Sequence, residues 1–167
     1  MKKGLDDGNF VVAIIMDLSK AFDCISHDLL IAKMEAYGFE KSALNLVYSY
    51  LKGRRQCVKI NNTESSYKTI LAGVPQGSIL GPILFNIFRN DFYYFFTEAN
   101  LHGFSDDHSI SAKSHSLEDL KSKLRNESKV AVKWLKDNQM IANPSKFQAI
   151  FLNKSNKHID TNIIRIR

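Results

Sequence analysis

The stretch FVVAIIMD, residues 10–17, decides the fold, because seven apolar residues in succession are followed at once by an aspartate. A continuous run rich in β-branched residues predicts a strand that is buried on both faces of a sheet. Asp17 then lies where this strand ends. Any side chain that joins Asp17 must come from segments further along the chain.

The paired acids of FSDDH, residues 104–108, are the first candidates, since apolar residues flank them on both sides. Side chains alternate across a strand, so only one of Asp106 and Asp107 needs to meet Asp17. Two carboxylates about 4 Å apart repel by about 4 kcal/mol at an effective dielectric constant near 20. A shared proton or a divalent cation such as Mg²⁺ would offset this repulsion. The alternative is that the two acids occupy an exposed β-turn.

Capping residues and apolar spacing predict the other elements. Helices are predicted from Ser26 to Gly38, over 42–52, after an N-cap at Ser78, and over 116–138. A hairpin is predicted with strands 57–60 and 67–71, followed by two short strands within 101–112 and one strand over 147–152. This order predicts an α+β fold with a small antiparallel sheet and helices packed on one face. The aromatic run 92–96 is expected to pack in the core, with a base-stacking platform as the alternative. His27 and His108 are expected to be polar surface or turn residues.

Length and composition limit the class of protein. A chain of 167 residues that is 44% hydrophobic can bury one core, which favours a single domain over residues 1–167. Two cysteines without metal-ligand spacing favour reduced thiols, and the absence of a long apolar run favours a soluble intracellular protein, nuclear or cytoplasmic. The net charge is +6, with 11 Lys and Arg against 5 Asp and Glu after residue 115, which suits a polyanionic partner.

Three segments in order resemble a known family. DLSKAFDCISH at 17–27, GVPQGSILGPILFNIF at 73–88 and FSDDH at 104–108 resemble palm motifs A, B and C of reverse transcriptases, especially those of non-LTR (LINE-like) retrotransposons. NPSKFQAIFL at 143–152 resembles motif D. The four motifs then occupy 11–27, 73–88, 101–112 and 143–152, so the likeness runs from about Val11 to Leu152, most of the chain. The fingers and thumb of such an enzyme are expected to be largely absent.

The resemblance implies a site for two Mg²⁺ ions, for which Mn²⁺ is a possible substitute. Asp17, Asp106 and the backbone carbonyl of Leu18 would hold the metals, and Asp107 would support the pair. Lys146 matches the motif D lysine, which is placed to neutralise or protonate the leaving pyrophosphate. Lysine after Pro-Ser is also a common surface residue, so both interpretations of Lys146 stay open.

The resemblance also implies a nucleotide site, to which Leu18 is assigned as well. Phe22 matches the steric gate, an aromatic ring beneath the sugar that excludes a 2′-hydroxyl, although it could also be an ordinary core residue. Gln76 and Gly77 match the motif B turn that contacts nucleotide and template. Asp23 is interpreted as structural.

The implied function is RNA-directed DNA synthesis, in which the 3′-hydroxyl of a DNA primer attacks the α-phosphate of a dNTP on an RNA template. Arg54 and Arg55 could contact nucleic-acid phosphates or form a solvated hairpin edge. No membrane contact is expected, and the oligomeric state is not specified. Two positions depart from the family pattern, Arg89 and Ser105. The alternative function is a degenerate or co-opted fragment that binds nucleic acid or protein without polymerase activity.

Overall fold

A computed structural model describes residues 2–105 and 107–153 of the chain. The chain divides into two compact units: residues 1–19 with 91–167, called here the sheet unit, and residues 20–90, called the helical unit. Over the described ranges, no helix is both long enough and apolar enough to cross a membrane.

The fold is α+β, as predicted. The helices are α1 (Lys2–Asp6), α2 (His27–Ala36), α3 (Lys41–Leu51), α4 (Leu80–Arg89) and α5 (Leu117–Asp137). The strands are β1 (Phe10–Asp17), β2 (Arg55–Gln56), β3 (Lys59–Ile60), β4 (Thr63–Glu64), β5 (Lys68–Thr69), β6 (Asn100–Phe104), β7 (Asp107–Ser114) and β8 (Gln148–Leu152). The sheet unit holds a four-stranded sheet in the order β6-β7-β1-β8, in which every neighbouring pair is antiparallel.

The core of the sheet unit lies between α5 and one face of this sheet. Val12 and Ile14 of β1 are buried on this face, and their register partners on β7 are Ala112 and Ile110. Burying an aliphatic side chain of this size contributes about 1.5 to 3 kcal/mol. Phe92 joins helix and sheet, because its ring centroid lies 4.4 Å from that of Trp134 on α5 and 5.6 Å from that of His108 on β7.

The opposite face of the sheet is partly covered by α1, which the sequence did not predict. A Cβ added to Gly4 would lie 3.2 Å from side-chain atoms of both Val11 and Lys113, which are register partners on this face. The prediction that helices pack on one face is therefore correct for α5 but not for α1. Asp17 and Asp107 lie at the other end of this same face.

Predicted helix caps are confirmed in two helices. The Ser26 hydroxyl accepts the Leu29 N–H at the start of α2, and the Ser116 hydroxyl accepts the Asp119 N–H at the start of α5. The cap of α4 differs by one residue, because Ile79 is the N-cap. The Ser78 hydroxyl nevertheless accepts the Gly81 N–H at 3.0 Å, and so satisfies one of the unpaired donors of the first turn.

Three sequence predictions are wrong in detail. The predicted hairpin is split into two short ladders, β2 with β5 and β3 with β4, and all of these strand residues are exposed. Of the aromatic run 92–96, Tyr94 is 78% exposed and Phe95 53%, whereas Phe92 is buried. His108 is buried rather than on the surface, with its ring centroid 5.6 Å from that of Phe92.

The helical unit packs α2 against α3 and α4. Lys33 of α2 donates to the Phe88 carbonyl at 2.9 Å, close to the C-terminus of α4, where cations are favoured. Arg89 is buried in α4, and its Nε donates to Asn86 Oδ1 at 3.1 Å. The Arg89 guanidinium also lies 5.6 Å from the centroid of the Phe85 ring. These contacts explain how arginine is accommodated where the resemblance leads one to expect an apolar residue.

Candidate active site

The sheet unit brings Asp17 and Asp107 together. The two residues are direct register partners at the end of the antiparallel β1–β7 pair, so their side chains project from the same face. The Asp17 carbonyl accepts the Asn143 N–H at 3.3 Å, which turns its backbone hydrogen bonds away from β7. The pair is therefore of the non-hydrogen-bonded kind, in which the Cα atoms are about 4.5 Å apart and the side chains are closest.

Lys146 lies beside this pair. It belongs to a 3₁₀ turn over Pro144–Lys146, just before β8, and its Nζ lies 3.2 Å and 3.3 Å from the two carboxylate oxygens of Asp17. Like charges placed directly opposite one another destabilise a sheet, so the ammonium group offsets the repulsion between Asp17 and Asp107. The Lys146 side chain is 58% exposed, so a solute can reach the ion pair.

Leu18 follows Asp17 and is itself buried. Asp17 and Ser19 both direct backbone hydrogen bonds toward the segment around 141–143. Since backbone groups alternate in direction along an extended chain, the Leu18 carbonyl points to the β7 side. Asp106 lies outside the described residues, so its predicted place beside Asp17 stays a prediction.

The oxygen ligands at this end of the sheet suit a hard cation. Mg²⁺ takes oxygen ligands and is usually held by one or two carboxylates, and Asp17 and Asp107 supply two carboxylates on one face of the sheet. Within residues 2–105 and 107–153, no group of three or more His, Cys, Asp or Glu side chains could hold a metal.

The helical unit brings three of the four predicted nucleotide residues into one cleft, whereas Leu18 belongs to the sheet unit. Phe22, Gln76 and Gly77 all line a cleft of about 500 Å³, together with the residues that lead into α4. The Phe22 ring is half-buried, and its centroid lies 4.7 Å from that of Phe85. This contact fixes the ring at the wall of the cleft instead of deep in the core.

A second cleft of about 810 Å³ lies in the same unit and carries positive charge. Arg54 and Arg55 line it together with Lys20, whereas Asp23 is the acidic residue of its lining. The guanidinium groups of Arg54 and Arg55 each lie 5.4 Å from the centroid of a tyrosine ring, Tyr50 and Tyr67 respectively. Stacking on aromatic faces restricts these long side chains, and the cleft attracts anions.

The turn between the two clefts is built by contacts that the sequence did not predict. Gly73 donates its N–H to the Ile25 carbonyl at 2.8 Å, and Val74 donates to the Phe22 carbonyl at 2.9 Å. The His27 ring Nε2 lies 2.7 Å from the Gly73 carbonyl oxygen. The prediction of His27 as a polar surface or turn residue does not include this contact, which spans 46 positions and leaves no local pattern.

Asp23 accepts a hydrogen bond from Gln76 Nε2 at 2.8 Å, so Asp23 has a partner in the candidate site.

Burial and the neighbouring Asp23 carboxylate raise the pKa of the Cys24 thiol, so this thiol stays protonated at neutral pH.

Comparisons with known proteins point to one family. The family model for reverse transcriptase (RNA-dependent DNA polymerase) matches residues 5–160. A probable RNA-directed DNA polymerase from transposon BS of Drosophila melanogaster is 38% identical over 89 residues, which are 53% of this chain and 10% of that protein. The polymerase from mobile element jockey of the same organism is 35% identical over the same shares. The chain thus spans about a tenth of the length of these curated relatives.

Solved structures show the same fold. Telomerase from Candida tropicalis in complex with a TWJ fragment of telomeric RNA matches 95% of this chain and 29% of its own, with a TM-score of 0.66 and 14% identity. Apo telomerase from that organism matches 88% of this chain and 29% of its own, with a TM-score of 0.65 and 13% identity. Because the family model covers nearly the whole sequence, this chain belongs to the reverse transcriptase (RNA-dependent DNA polymerase) family.

Proposed function

We propose that this chain is the palm of an RNA-directed DNA polymerase of the non-LTR retrotransposon type, with motifs A to D at 11–27, 73–88, 101–112 and 143–152. The observation that carries the proposal is the pairing of Asp17 with Asp107 on one sheet face, with Lys146 beside them. The expected substrates are an RNA template, a DNA primer and dNTPs. In the reaction, the primer 3′-hydroxyl attacks the α-phosphate, and pyrophosphate leaves.

Asp17, Asp106 and the Leu18 carbonyl would hold two Mg²⁺ ions, with Asp107 supporting them. When bound, such ions bind the substrate phosphates and offset charge at the reacting oxygens. The chain's own contribution is positional, because the β1–β7 register keeps two acceptor-only carboxylates on one face. Lys146 would supply charge or a proton to the leaving pyrophosphate.

Lys146→Gln tests the relation between the ammonium and the cation site. Lys146 and a divalent cation compete for the Asp17 carboxylate, so removing the ammonium is expected to tighten Mn²⁺ binding about threefold to tenfold. Primer extension by the same variant is expected to fall, because the leaving group loses its cation. Isothermal titration with Mn²⁺ measures the first effect. Lys113→Gln is the matched control, because it removes an exposed charge at the far end of the same strand pair. Weaker Mn²⁺ binding in Lys146→Gln would contradict the assignment.

Phe22→Val tests the steric gate. A smaller side chain on the cleft wall leaves room for a 2′-hydroxyl, so the ratio of ribonucleotide to deoxyribonucleotide incorporation is expected to rise about tenfold or more. Steady-state kinetics with a matched rNTP and dNTP pair measures this ratio. Phe39→Val changes an aromatic residue that does not line the cleft and should leave the ratio unchanged. Unaltered sugar selectivity in Phe22→Val would remove the gate assignment.

The basic cleft is proposed to contact nucleic-acid phosphates through Arg54 and Arg55. Replacing both by glutamine is expected to weaken binding and to reduce the slope of log K against log salt by about 1 to 2. Fluorescence anisotropy with a labelled RNA–DNA hybrid over a salt series measures this slope. Lys59→Gln removes a charge that pairs with Glu64 outside the cleft, and serves as control. Equal slopes in all variants would show that the two arginines make no phosphate contact.

A further inference from the structure

The hydrogen bond between Gln76 and Asp23 determines which way the Gln76 side-chain amide faces. Gln76 Nε2 lies 2.8 Å from Asp23 Oδ1. A carboxylate can only accept hydrogen bonds, so the nitrogen of the amide must point toward Asp23 and the oxygen, Oε1, must point away. The chemistry of the partner therefore fixes the orientation of the Gln76 carboxamide.

The backbone around Asp23 is held in place by the motif B turn. Val74 donates to the Phe22 carbonyl on one side of Asp23, and Gly73 donates to the Ile25 carbonyl on the other. Gly73 approaches so closely that an added Cβ would lie 2.7 Å from the Asp23 Cα. The backbone that carries the Asp23 carboxylate is thus held in place, although the side chain itself is exposed.

Gln76 lies where the orientation of its amide decides which polar group faces a ligand. It lines the cleft of about 500 Å³ that holds Phe22, and it also lines the basic cleft of about 810 Å³ with Arg54 and Arg55. Over the described residues, Asp23 is the hydrogen-bond partner of the Gln76 carboxamide. Oε1 and the second Nε2–H are therefore the groups that Gln76 can offer to a ligand.

We propose that Asp23 is a positioning residue, which orients the Gln76 carboxamide so that Oε1 accepts a hydrogen bond from a hydroxyl or amino group of a bound nucleotide. The inference deepens the proposed polymerase function and rests on it for the nature of the ligand. An asparagine at position 23 would lose this control, because its side chain can donate as well as accept and so permits both orientations of Gln76.

A charge-conserving exchange of the two residues tests the proposal. Asp23→Asn releases the amide and is expected to raise the KM for dNTP about tenfold with kcat changed less than about threefold. Gln76→Glu places two carboxylates opposite one another, and its KM for dNTP should rise at least as much. The double variant Asp23→Asn/Gln76→Glu restores one donor facing one acceptor, keeps the net charge and again presents an outward oxygen. The KM of the double variant is expected to return most of the way to that of the unaltered chain. A KM raised by the product of the two single-variant factors would overturn the proposal.

A spectroscopic measurement gives a second readout that needs no activity. In the ¹⁵N-labelled chain, one Nε2 proton of Gln76 is expected to be shifted downfield by the carboxylate and to return to the position of an exposed glutamine in Asp23→Asn. Gln56, which lines the same basic cleft, should be unaffected. An unchanged Gln76 signal would overturn the inference. Failure of the unaltered chain to extend any primer would count against the proposed function instead, while the Gln76 signal would still decide the orientation.

Discussion

Asp17→Asn is expected to reduce RNA-templated primer extension by about a thousandfold or more, the size of effect that follows from losing several kcal/mol of transition-state stabilisation. Asn keeps the shape of the side chain but removes the charge that a divalent cation needs. Asp17 ends β1 and is the register partner of Asp107. Among the described residues, no second carboxylate lies opposite Asp107 in the β1–β7 register that could replace it. Extension assays with Mg²⁺ and with Mn²⁺ measure the loss.

The control for this variant must separate chemistry from folding. Asp6→Asn removes the same charge from the exposed end of α1 and should keep full activity. The Asp17→Asn chain should also unfold at nearly the same temperature, because an exposed ion pair such as that with Lys146 contributes about 1 kcal/mol or less. Retained extension in a folded Asp17→Asn variant would show that the motif A aspartate is not part of an active site.

Gly73→Ala is expected to destabilise the helical unit by about 3 kcal/mol, through left-handed strain and overpacking together. Gly73 has φ +87°, and its Cβ would lie 2.7 Å from the Cα and 2.8 Å from the carbonyl oxygen of Asp23. These are backbone atoms, so a side-chain rotation cannot relieve the overlap. The midpoint of chemical unfolding, followed by far-ultraviolet circular dichroism, measures the change.

Gly38→Ala is the matched control, because Gly38 has φ +86° and nothing lies within 4 Å of its added Cβ. The two glycines share the same backbone conformation, so Gly38→Ala carries only the left-handed strain, about 1 kcal/mol. The difference between the variants measures the close approach of the motif B turn to Asp23. Equal costs at both positions would mean that this close approach does not exist in solution.

Local patterns predicted the elements that position the site. The apolar run before Asp17 gave a buried strand with the correct end, and Ser26 and Ser116 gave the helix starts, because capping and burial act within a few residues. The hairpin within 55–71 was misplaced. All of its strand residues are exposed, so no buried face fixes a register that sequence could reveal.

Local sequence patterns did not predict the contacts within the candidate site. Lys146 reaches Asp17 across 129 positions, and Gln76 reaches Asp23 across 53. Such pairs are set by strand register and by the path of the turn, neither of which leaves a periodic signal. Resemblance to a family supplied the residues, whereas the structure supplied the partners of Asp17 and Gln76.

The most direct test of the cation site is to locate bound Mn²⁺ by paramagnetic broadening in the ¹⁵N-labelled chain. Substoichiometric Mn²⁺ is expected to broaden the amide signals of Leu18 and Asp107 first, since β1 and β7 end together there. The same titration of Asp17→Asn should show no selective broadening. Broadening centred on acidic residues other than Asp17, Asp106 and Asp107, or broadening unchanged by Asp17→Asn, would contradict a shared cation site at the ends of these two strands.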